Sequence, residues 1–511
     1  MARQLSTATL LVVLLAVSVS AGKLKVDPVN RRFVDSAGNT KVFHGVNVAY
    51  KISPYLPPNI DTFDFDNSFA DEDAVKLKAW GMNVVRLTMY WEAIEPVRGK
   101  YNQDYINRIQ KIVDICRRHG LAIYLDLHQD VANRHYCGEG MPDWAIRPHT
   151  EWYNKFPAPL FAVKFDYDSQ GYPTKESCLK NGFGLYYATI AVQDAYSDLW
   201  DNWNGIADAF ADMWAHIATK FKNQDAVIAY EILNEPFIGD VYKNLSIFFK
   251  DHKVMPFYQK VHNRIRQVDN ETIILFEHPT SDEFFSAVHG TPGGPAYADR
   301  QVLSYHVYAT ASGDPKNVPL TNAFADALFT HAYKALDKEN LMGFLTEFGA
   351  ISGLTAEGNE HLDHVVGLAE KRLQSWTYWQ YKFYEDYTTA ALPANCEGFF
   401  DGKGNEITAK VKVLARPYVQ TSSLDIESSK FVSKLSTLTV EFKKTAKSPA
   451  GPVVFYLNEV HHYSKGVHCS FEGCPSCQMN RVAGESKHYF AFTHTSAQVG
   501  SIKVTCRPKA F

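Results

Sequence analysis

Eight short apolar runs recur along residues 42–379, and amphipathic segments separate several of them. One such segment, residues 102–120, ends in basic residues and a glycine, as the C-terminus of a helix commonly does. Nearly continuous apolar strands that alternate with helices are typical of parallel β/α units. The runs are Val42–Asn47, Met82–Leu87, Leu121–Asp126, Val227–Leu233, Ile273–Phe276, Val302–His306, Met342–Thr346 and Ser375–Trp379.

Eight such units predict an α/β fold, namely a (β/α)8 TIM barrel with long insertions. A doubly wound open sheet is the alternative, but no glycine-rich phosphate loop follows the first run. Beyond residue 420 the pattern changes to short alternating stretches separated by Gly, Ser and Pro, which predict a small C-terminal antiparallel β-sandwich. We therefore expect a barrel at residues 23–415 and a sandwich at residues 416–511.

Almost every apolar run ends in a polar, ionisable or aromatic side chain. In a parallel barrel these ends converge on one face, where active sites are built. A single polar strand end is usually a satisfied hydrogen bond, but a set on successive strands predicts a functional site. The residues are His44, Asn47, Arg86, Asp126, His128, Asn234, Glu235, His306, Tyr308, Glu347 and Trp379.

Two of these residues, Glu235 in "YEILNEPFIGD" and Glu347 in "GFLTEFGA", each follow a β-rich run and precede a turn. Two carboxylates on separate strands of one barrel face are the minimal equipment for glycoside hydrolysis, one as acid and base and one as nucleophile. The alternative is a pair of structural carboxylates that bind arginine. We favour the catalytic interpretation because both acids occur in the same strand–Glu–turn context.

Neighbouring residues have roles that follow from their charge and shape. Arg86 is expected to pair with Glu347 and hold it ionised. Asn234 suits a hydrogen bond to a sugar 2-hydroxyl, and Trp379 offers an apolar face to a sugar ring. His306 and Tyr308 are expected to orient the two acids.

The motifs resemble those of the family 5 glycoside hydrolases, which are retaining (β/α)8 enzymes. The strand ends "HGVNV", "GMNVVRL", "LHQD", "ILNEPF", "SYHVY", "LTEFGA" and "SWTYWQYK" occur in that order. More narrowly, "GVNVAYK", "YLDLHQD" and "WTYWQYK", with the C-terminal sandwich, resemble the endoglycoceramidases, which cleave the β-linkage between an intact glycan and ceramide. The resemblance covers nearly the whole chain after its N-terminal segment.

The resemblance implies roles for individual positions. Glu235 corresponds to the acid/base and Glu347 to the nucleophile, and no cofactor is required. The sugar-contacting positions that it implies are Lys51, Asp126, His128, Asp130, Asn234 and Trp379, with Tyr308 added as a substrate-binding residue.

Two other functions stay open on the sequence alone. One is a family 5 β-glycosidase acting on simpler lipid glycosides, on mannan or on β-glucan, although Lys51 and Asp130 belong to the endoglycoceramidase-like pattern. The other is a non-catalytic carbohydrate- or lipid-binding protein, which would be expected to lack one of the two carboxylates. We expect a glycosphingolipid substrate presented in a micelle or on a membrane surface.

An aromatic insertion at residues 137–200 does not match the family position by position. It is interpreted either as an apolar wall for lipid chains or as a small core that holds the insertion together, and we favour a mixture of the two. Its aromatic residues are Trp144, Trp152, Tyr153, Phe156, Phe161, Phe165, Tyr167, Tyr172, Phe183, Tyr186, Tyr187 and Tyr196.

The N-terminus carries Arg3, a short apolar run at 10–17 and then small residues, which is the pattern of a secretory signal peptide spanning residues 1–22. The run is shorter than the roughly 20 residues of a membrane span. We therefore expect a secreted protein, in a digestive space or an acidic vesicle. Asn244 and Asn270 begin N-glycosylation triplets, consistent with this route.

Eight cysteines, four of them in the last 45 residues, are interpreted as disulfide partners rather than zinc ligands because secretion implies an oxidising compartment. A bridge between Cys137 and Cys178 would close a loop across the insertion, but the pairing cannot be deduced. We expect no metal, since the histidines show no ligand spacing. The net charge of −4, without a basic stripe, argues against a nucleic-acid partner.

Overall fold

The computed structural model describes residues 23–160, 164–243, 253–280, 290–310, 313–384, 397–494 and 500–509. The signal-peptide prediction, Asn244, Cys396 and Phe161 lie outside these residues. The strands in chain order are β1 (Lys25–Asp27), β2 (Arg32–Val34), β3 (Thr40–Lys41), β4 (His44–Val48), β5 (Val84–Met89), β6 (Ala122–Leu127), β7 (Val227–Glu231), β8 (Ile273–Glu277), β9 (Gln301–Val307), β10 (Gly343–Phe348), β11 (Ser375–Tyr378), β12 (Tyr418–Ser422), β13 (Asp425–Val432), β14 (Thr437–Lys444), β15 (Pro452–Tyr456), β16 (Val467–Glu472), β17 (Asn480–Arg481), β18 (Tyr489–Thr493) and β19 (Gly500–Pro508).

Helices lie mainly between the central strands. In chain order they are α1 (Asp71–Ala79), α2 (Trp91–Ile94), α3 (Gln103–Arg118), α4 (Lys175–Cys178), α5 (Ile190–Trp200), α6 (Ile206–Phe221), α7 (Val254–Arg266), α8 (Val318–Glu339), α9 (Ala356–Lys371) and α10 (Thr408–Leu414). Helix α3 shows why these segments are helical: Asn102 caps its first turn, and its apolar side buries Ile106, Ile109 and Val113. None of the helices in the described ranges combines the length and apolar character of a membrane span.

Strands β4 to β11 form a closed barrel in which every neighbouring pair is parallel. Each of the eight apolar runs corresponds to one barrel strand, so the predicted (β/α)8 fold is confirmed. The register places Asn47 opposite Arg86, Asp126 opposite Glu231, and Glu347 opposite His306. Strand pairing therefore brings the predicted polar residues to one end of the barrel.

The opposite end of the barrel is closed by the N-terminal hairpin. Phe33 on β2 packs edge-on against Phe43 and Phe344, with ring centroids 5.4 and 5.7 Å apart. Val26 on β1 joins the same buried cluster, beside barrel residues such as Tyr124. The hairpin acts as an apolar plug that keeps water out of the end remote from the glutamates.

Two antiparallel sheets pack together in the C-terminal half, as predicted. One has the order β13-β14-β19-β16, and the other has the order β1-β2-β3-β12-β15-β18-β17. Residues 25–41, before the barrel, therefore pair with strands beyond residue 416, which the sequence did not indicate. The division at residue 416 stays a prediction.

The disulfides follow this architecture. Cys469 and Cys506 are bonded across the neighbouring strands β16 and β19, and Cys474 is bonded to Cys477. These cysteines are thus disulfide partners, as favoured over zinc ligands. Cys116 is buried with a free thiol.

The sandwich packs against the flank of the barrel through tyrosines. Tyr418 and Tyr456 donate hydrogen bonds to the carbonyls of Gly81 and Ala79, at 2.9 and 2.7 Å. Gly81 has φ +82°, and a Cβ there would lie 2.4 Å from the Tyr456 ring. His44, grouped above with the polar strand ends, begins β4 instead and stacks on Tyr418 with ring centroids 3.7 Å apart. It belongs to this interface because its strand begins, rather than ends, at that residue.

Candidate active site

The two glutamates meet at the C-terminal end of the barrel. Glu347 lies on β10, and Glu235 follows β7 with φ +39°, a left-handed conformation that only surrounding contacts can hold. Gln129 supplies such contacts, since its amide donates to the carbonyls of Asn234 and Glu235 at 3.0 and 2.8 Å. A carboxylate oxygen of each glutamate and a ring nitrogen of His306 lie within 4.8 Å of one another. Both carboxyl groups can therefore reach one anomeric carbon and its leaving oxygen.

Arg86, wholly buried beneath the pair, forms the centre of the site. Its Nη1 donates to Glu347 at 2.5 Å, and its Nε donates to Glu231 at 2.6 Å. Its Nη2 donates to Asn234 at 2.8 Å and lies 3.2 Å from Asp126. Burial opposes the charged guanidinium, but the buried carboxylates outweigh it and raise the pKa of Arg86 well above its ordinary value.

Glu347 is held at both oxygens. Arg86 binds Oε1, and the Tyr308 hydroxyl donates to Oε2 at 2.9 Å. A carboxylate that contacts a cation at one oxygen and a hydroxyl donor at the other is fixed in orientation, and the expected pairing of Arg86 with Glu347 is present.

Glu235 has a different environment. Its Oε1 lies 2.7 Å from Nδ1 of His306, and no cation contacts it among the described residues. Burial, followed by the charge of Asp130, raises the pKa of Glu235 to about 7. Burial lowers the pKa of His306 to about 4, so the imidazole is neutral at pH 7. Glu235 therefore keeps a proton to a higher pH than an ordinary glutamate.

Sequence reasoning missed three polar residues that support the pair: Glu231, Glu277 and Gln129. Glu277 ends β8, accepts the backbone N–H of Glu235 at 2.7 Å, and lies 3.4 Å from His306. Burial and the charges of Glu235 and Glu231 raise the pKa of Glu277 well above its usual range. A signal was present, since "IILFEHP" is an apolar run followed by Glu, as at Glu347.

A second group, which contains the residues specific to the endoglycoceramidase-like pattern, lies beside the glutamates. Lys51 forms a salt bridge with Asp130, and its Nζ lies 4.7 Å from the ring centroid of Trp379. His128 lies 2.8 Å from Asp126 and stacks on Trp379 at 5.4 Å. Burial opposes the imidazolium, but Asp126 outweighs it and raises the pKa of His128 to about 9.

A cavity of about 340 Å³ opens above these groups. Arg86, Asp126 and His306 lie beneath it, as does Asn47, which accepts from Arg86 at 3.0 Å. Apart from His44, which lies at the sandwich interface, the other predicted site residues line the cavity. Glu397, which accepts a hydrogen bond from the Trp379 indole at 3.1 Å, also lines it and was not predicted. The lining residues are Lys51, His128, Asp130, Phe183, Asn234, Glu235, Tyr308, Ala309, Thr310, Phe324, Glu347, Ala350, Trp379 and Glu397.

The aromatic insertion divides into an inner and an outer part. Tyr186 and Tyr196 are buried, and the bond between Cys137 and Cys178 anchors the segment, as the predicted loop closure requires. Trp152 and Tyr153 are exposed, and Phe183 reaches the cavity. The insertion is thus partly a small core and partly exposed apolar surface, and contact of that surface with lipid chains stays a prediction.

Within the described part of the chain, the clusters with the composition of metal ligands contain ion-paired carboxylates. The groups His128–Asp130–Glu139, Glu231–Glu277–His306 and Glu235–His306–Glu347 each bring ligand atoms within 4.8 Å of one another. Lys51 already neutralises Asp130, and Arg86 neutralises Glu231 and Glu347. These internal cations meet the need for positive charge that a bound metal would otherwise satisfy.

Two close carboxylates at the C-terminal end of a (β/α)8 barrel, one paired with a cation and one carrying a raised pKa, define a glycoside hydrolase. Residues 56–385 match the sequence profile of the family described as Cellulase (glycosyl hydrolase family 5). The chain therefore belongs to glycosyl hydrolase family 5, and the resemblance inferred from its motifs is confirmed.

Two sequence relatives and one solved structure are similar to most of this chain. The chain is 34% identical over 450 residues to an endoglycoceramidase of Cyanea nozakii, covering 87% of this chain and 86% of the relative. It is 32% identical over 507 residues to an endoglycoceramidase of Hydra vulgaris, covering 97% and 92%. The solved endo-glycoceramidase II from Rhodococcus sp. has the same fold, with a TM-score of 0.71 at 22% identity over 93% of this chain and 99% of that one.

Proposed function

We propose that this protein hydrolyses the β-linkage between an intact oligosaccharide and ceramide in glycosphingolipids such as gangliosides, releasing free glycan and ceramide. The observation that carries the reaction is the pair of close carboxylates in unlike environments. The choice of substrate is supported by two relatives named endoglycoceramidase that match most of the chain. A fold neighbour solved as a ganglioside GM3 complex agrees with it.

In the first step, Glu347 attacks the anomeric carbon while Glu235 donates its proton to the ceramide oxygen. The C–O bond to ceramide breaks, ceramide leaves as an alcohol, and the glycan becomes an ester of Glu347. The raised pKa of Glu235, caused first by burial and then by Asp130, keeps that proton available near neutral pH. Arg86 and Tyr308 hold the attacking carboxylate in place.

In the second step, Glu235 is ionised and takes a proton from water. The water oxygen attacks the anomeric carbon as it loses that proton, and the ester bond to Glu347 breaks. The glycan is released with its original configuration. Glu235 is again protonated, so both residues return to their starting states. Neutral His306, 2.7 Å from Glu235, orients its carboxyl group in both steps.

Substrate binding is assigned to the residues around the cavity. Asn234 adjoins Glu235 in the chain, accepts from the same Arg86 guanidinium as Glu347, and suits the 2-hydroxyl of the reacting sugar. Lys51, Asp130 and His128 offer charged hydrogen bonds to hydroxyls, and Trp379 offers a ring face. Asp126 acts beneath them by orienting His128.

The proposal includes the setting in which the protein acts. Secretion is supported by the N-terminal residues and by bonded cysteine pairs such as Cys137 with Cys178, since disulfides persist in oxidising compartments. Asn270 is exposed, as a glycosylation site must be. The substrate is presented in a micelle or on a membrane surface.

The test is to incubate the purified protein with a ganglioside in detergent and identify both products by mass. Intact oligosaccharide together with ceramide is the expected result. Stepwise release of monosaccharides, or cleavage of β-glucan without any reaction on ganglioside, would keep the glycosidase and overturn the lipid substrate.

A further inference from the structure

Exposed leucine and aromatic side chains occur mainly in the barrel part of the chain. Among the described residues, all of them except Leu435 lie in segments that follow a barrel strand, and such segments include the loops that form the active-site face. Leu320 and Leu354 are each 68% exposed and Leu185 is 54% exposed. Leucines so exposed on the catalytic face point to contact with another apolar surface.

These leucines flank residues that line the cavity. Leu185 lies two residues beyond Phe183 in one helical turn, and Leu320 lies one turn before Phe324 on α8. We call the set formed by Phe183, Leu185, Leu320, Phe324 and Leu354 the apolar rim. Leu354 completes it, four residues beyond Ala350, which also lines the cavity. Two of its members, Phe183 and Phe324, line the cleft that holds the two glutamates, and the three leucines lie within four residues of lining positions.

Charge is absent from the segments that carry the rim. Residues 181–188, 318–325 and 350–356 contain no Asp, Glu, Lys or Arg. A protein surface normally intersperses charges to stay soluble, so three uncharged stretches around one opening favour an apolar partner over a charged one.

Hydrogen bonds behind the rim hold its side chains outward. Asp314 accepts from the backbone and hydroxyl of Ser352 at 2.8 and 2.5 Å, which ties the Leu354 loop to the loop before α8. Asn317 caps α8 by accepting from the N–H of Leu320 at 3.1 Å. Tyr186 donates to the carbonyl of Cys178 at 2.6 Å behind Leu185. The exposure of the rim is thus fixed by the structure around it.

We propose that the apolar rim docks on the lipid surface that carries the substrate. This inference rests on the proposed function, because Phe183 and Phe324 line the cavity that holds Glu235 and Glu347 and offer apolar contacts to the hydrocarbon chains of a ceramide cleaved there. Seating the leucines among lipid chains removes their apolar area from water and brings the cleft mouth to the headgroup level.

The test compares two triple variants. The rim variant is Leu185→Ser, Leu320→Ser and Leu354→Ser, and the matched control replaces the exposed Val29, Leu435 and Val460 with Ser, away from the cleft. We measure co-sedimentation with phosphatidylcholine vesicles, turnover of ganglioside in those vesicles, and turnover of a soluble aryl lactoside. The rim variant is expected to lose about tenfold or more in vesicle binding and in ganglioside turnover, with unchanged aryl lactoside turnover. The control is expected to match the parent in all three.

The outcomes separate the two proposals. Undiminished vesicle binding by the rim variant overturns docking at the rim, and so does a parent that ignores vesicles but forms dimers which the rim variant breaks. A parent that binds vesicles through the rim yet cleaves no ganglioside overturns the proposed function and leaves the docking surface in place.

Discussion

The mouth of the barrel and the core of the sandwich are buried to a similar degree but are built from opposite kinds of residue. Arg86, Asp126, Glu231 and Glu277 are buried at the barrel mouth, where several carboxylates share one guanidinium. The sandwich core contains Phe442 and similar apolar side chains together with bonded cysteines. Buried charge costs stability unless each partner is present, whereas apolar burial contributes it. The comparison teaches that the barrel mouth holds buried charge for the reaction, whereas the sandwich core, like the apolar interior of the barrel, contributes stability.

The strongest test of that separation is Glu347→Gln. We expect kcat to fall about ten-thousandfold because the nucleophile is lost. Folding is preserved because the amide keeps the shape, its oxygen accepts from Arg86, and its NH2 group donates to the Tyr308 hydroxyl. Turnover of ganglioside and thermal unfolding are measured together. Glu360→Gln, on the exposed side of α9, is the matched control. Near-parental turnover would remove Glu347 from the nucleophile role.

The next largest effect is expected for Glu235→Ala, about a hundredfold to ten-thousandfold in kcat because the general acid and base is lost. Azide should restore part of the activity on an activated glycosyl fluoride, since that leaving group needs no proton. The expected product is the azide with retained configuration, identified by NMR. An inverted azide would assign the nucleophile to Glu235 and reverse the two roles.

The contribution of the sandwich core to stability is tested by Phe442→Ala. This ring is fully buried between the sheets, 6.0 Å from the ring of Phe492, so its removal should cost about 3–5 kcal/mol of unfolding free energy. Denaturant titration measures that loss. At 25 °C, kcat/KM should change less than about twofold, because Phe442 lies in the sandwich core and not at the barrel mouth. Leu435→Ala, at a position 67% exposed, is the stability control. A large fall in kcat/KM would show that the sandwich supports the site directly.

The smallest effect is a shift in pH dependence. Since burial and Asp130 raise the pKa of Glu235 to about 7 and the acid must be protonated, kcat/KM should fall as pH rises through about 7. Asp130→Asn removes a negative neighbour, which lowers the pKa of Glu235 and moves this limb to lower pH. The profile is recorded with a soluble aryl lactoside. An unmoved limb in the variant would exclude Glu235 as the titrating acid or Asp130 as its partner.

The sequence alone located the barrel strands and the two glutamates. Each apolar run became a barrel strand, because a parallel strand buried on both faces must be apolar throughout. Glu235 and Glu347 were identifiable because each ends such a run. Glu277 ends a run in the same way but was overlooked, since no family motif drew attention to it.

Other features depended on tertiary structure. Residues 25–41 pair with a sheet completed almost four hundred residues later, as in the register of Lys41 opposite Thr421, and nothing local in a two-residue strand specifies that partner. The raised pKa of Glu235 likewise depends on burial and on Asp130, which folding brings close. Local periodicity determines which segments become strands and where acids end them, because that information lies in neighbouring residues. The sharing of Arg86 among Asp126, Glu231 and Glu347 was decided only by barrel closure, because charges interact through space and not along the chain.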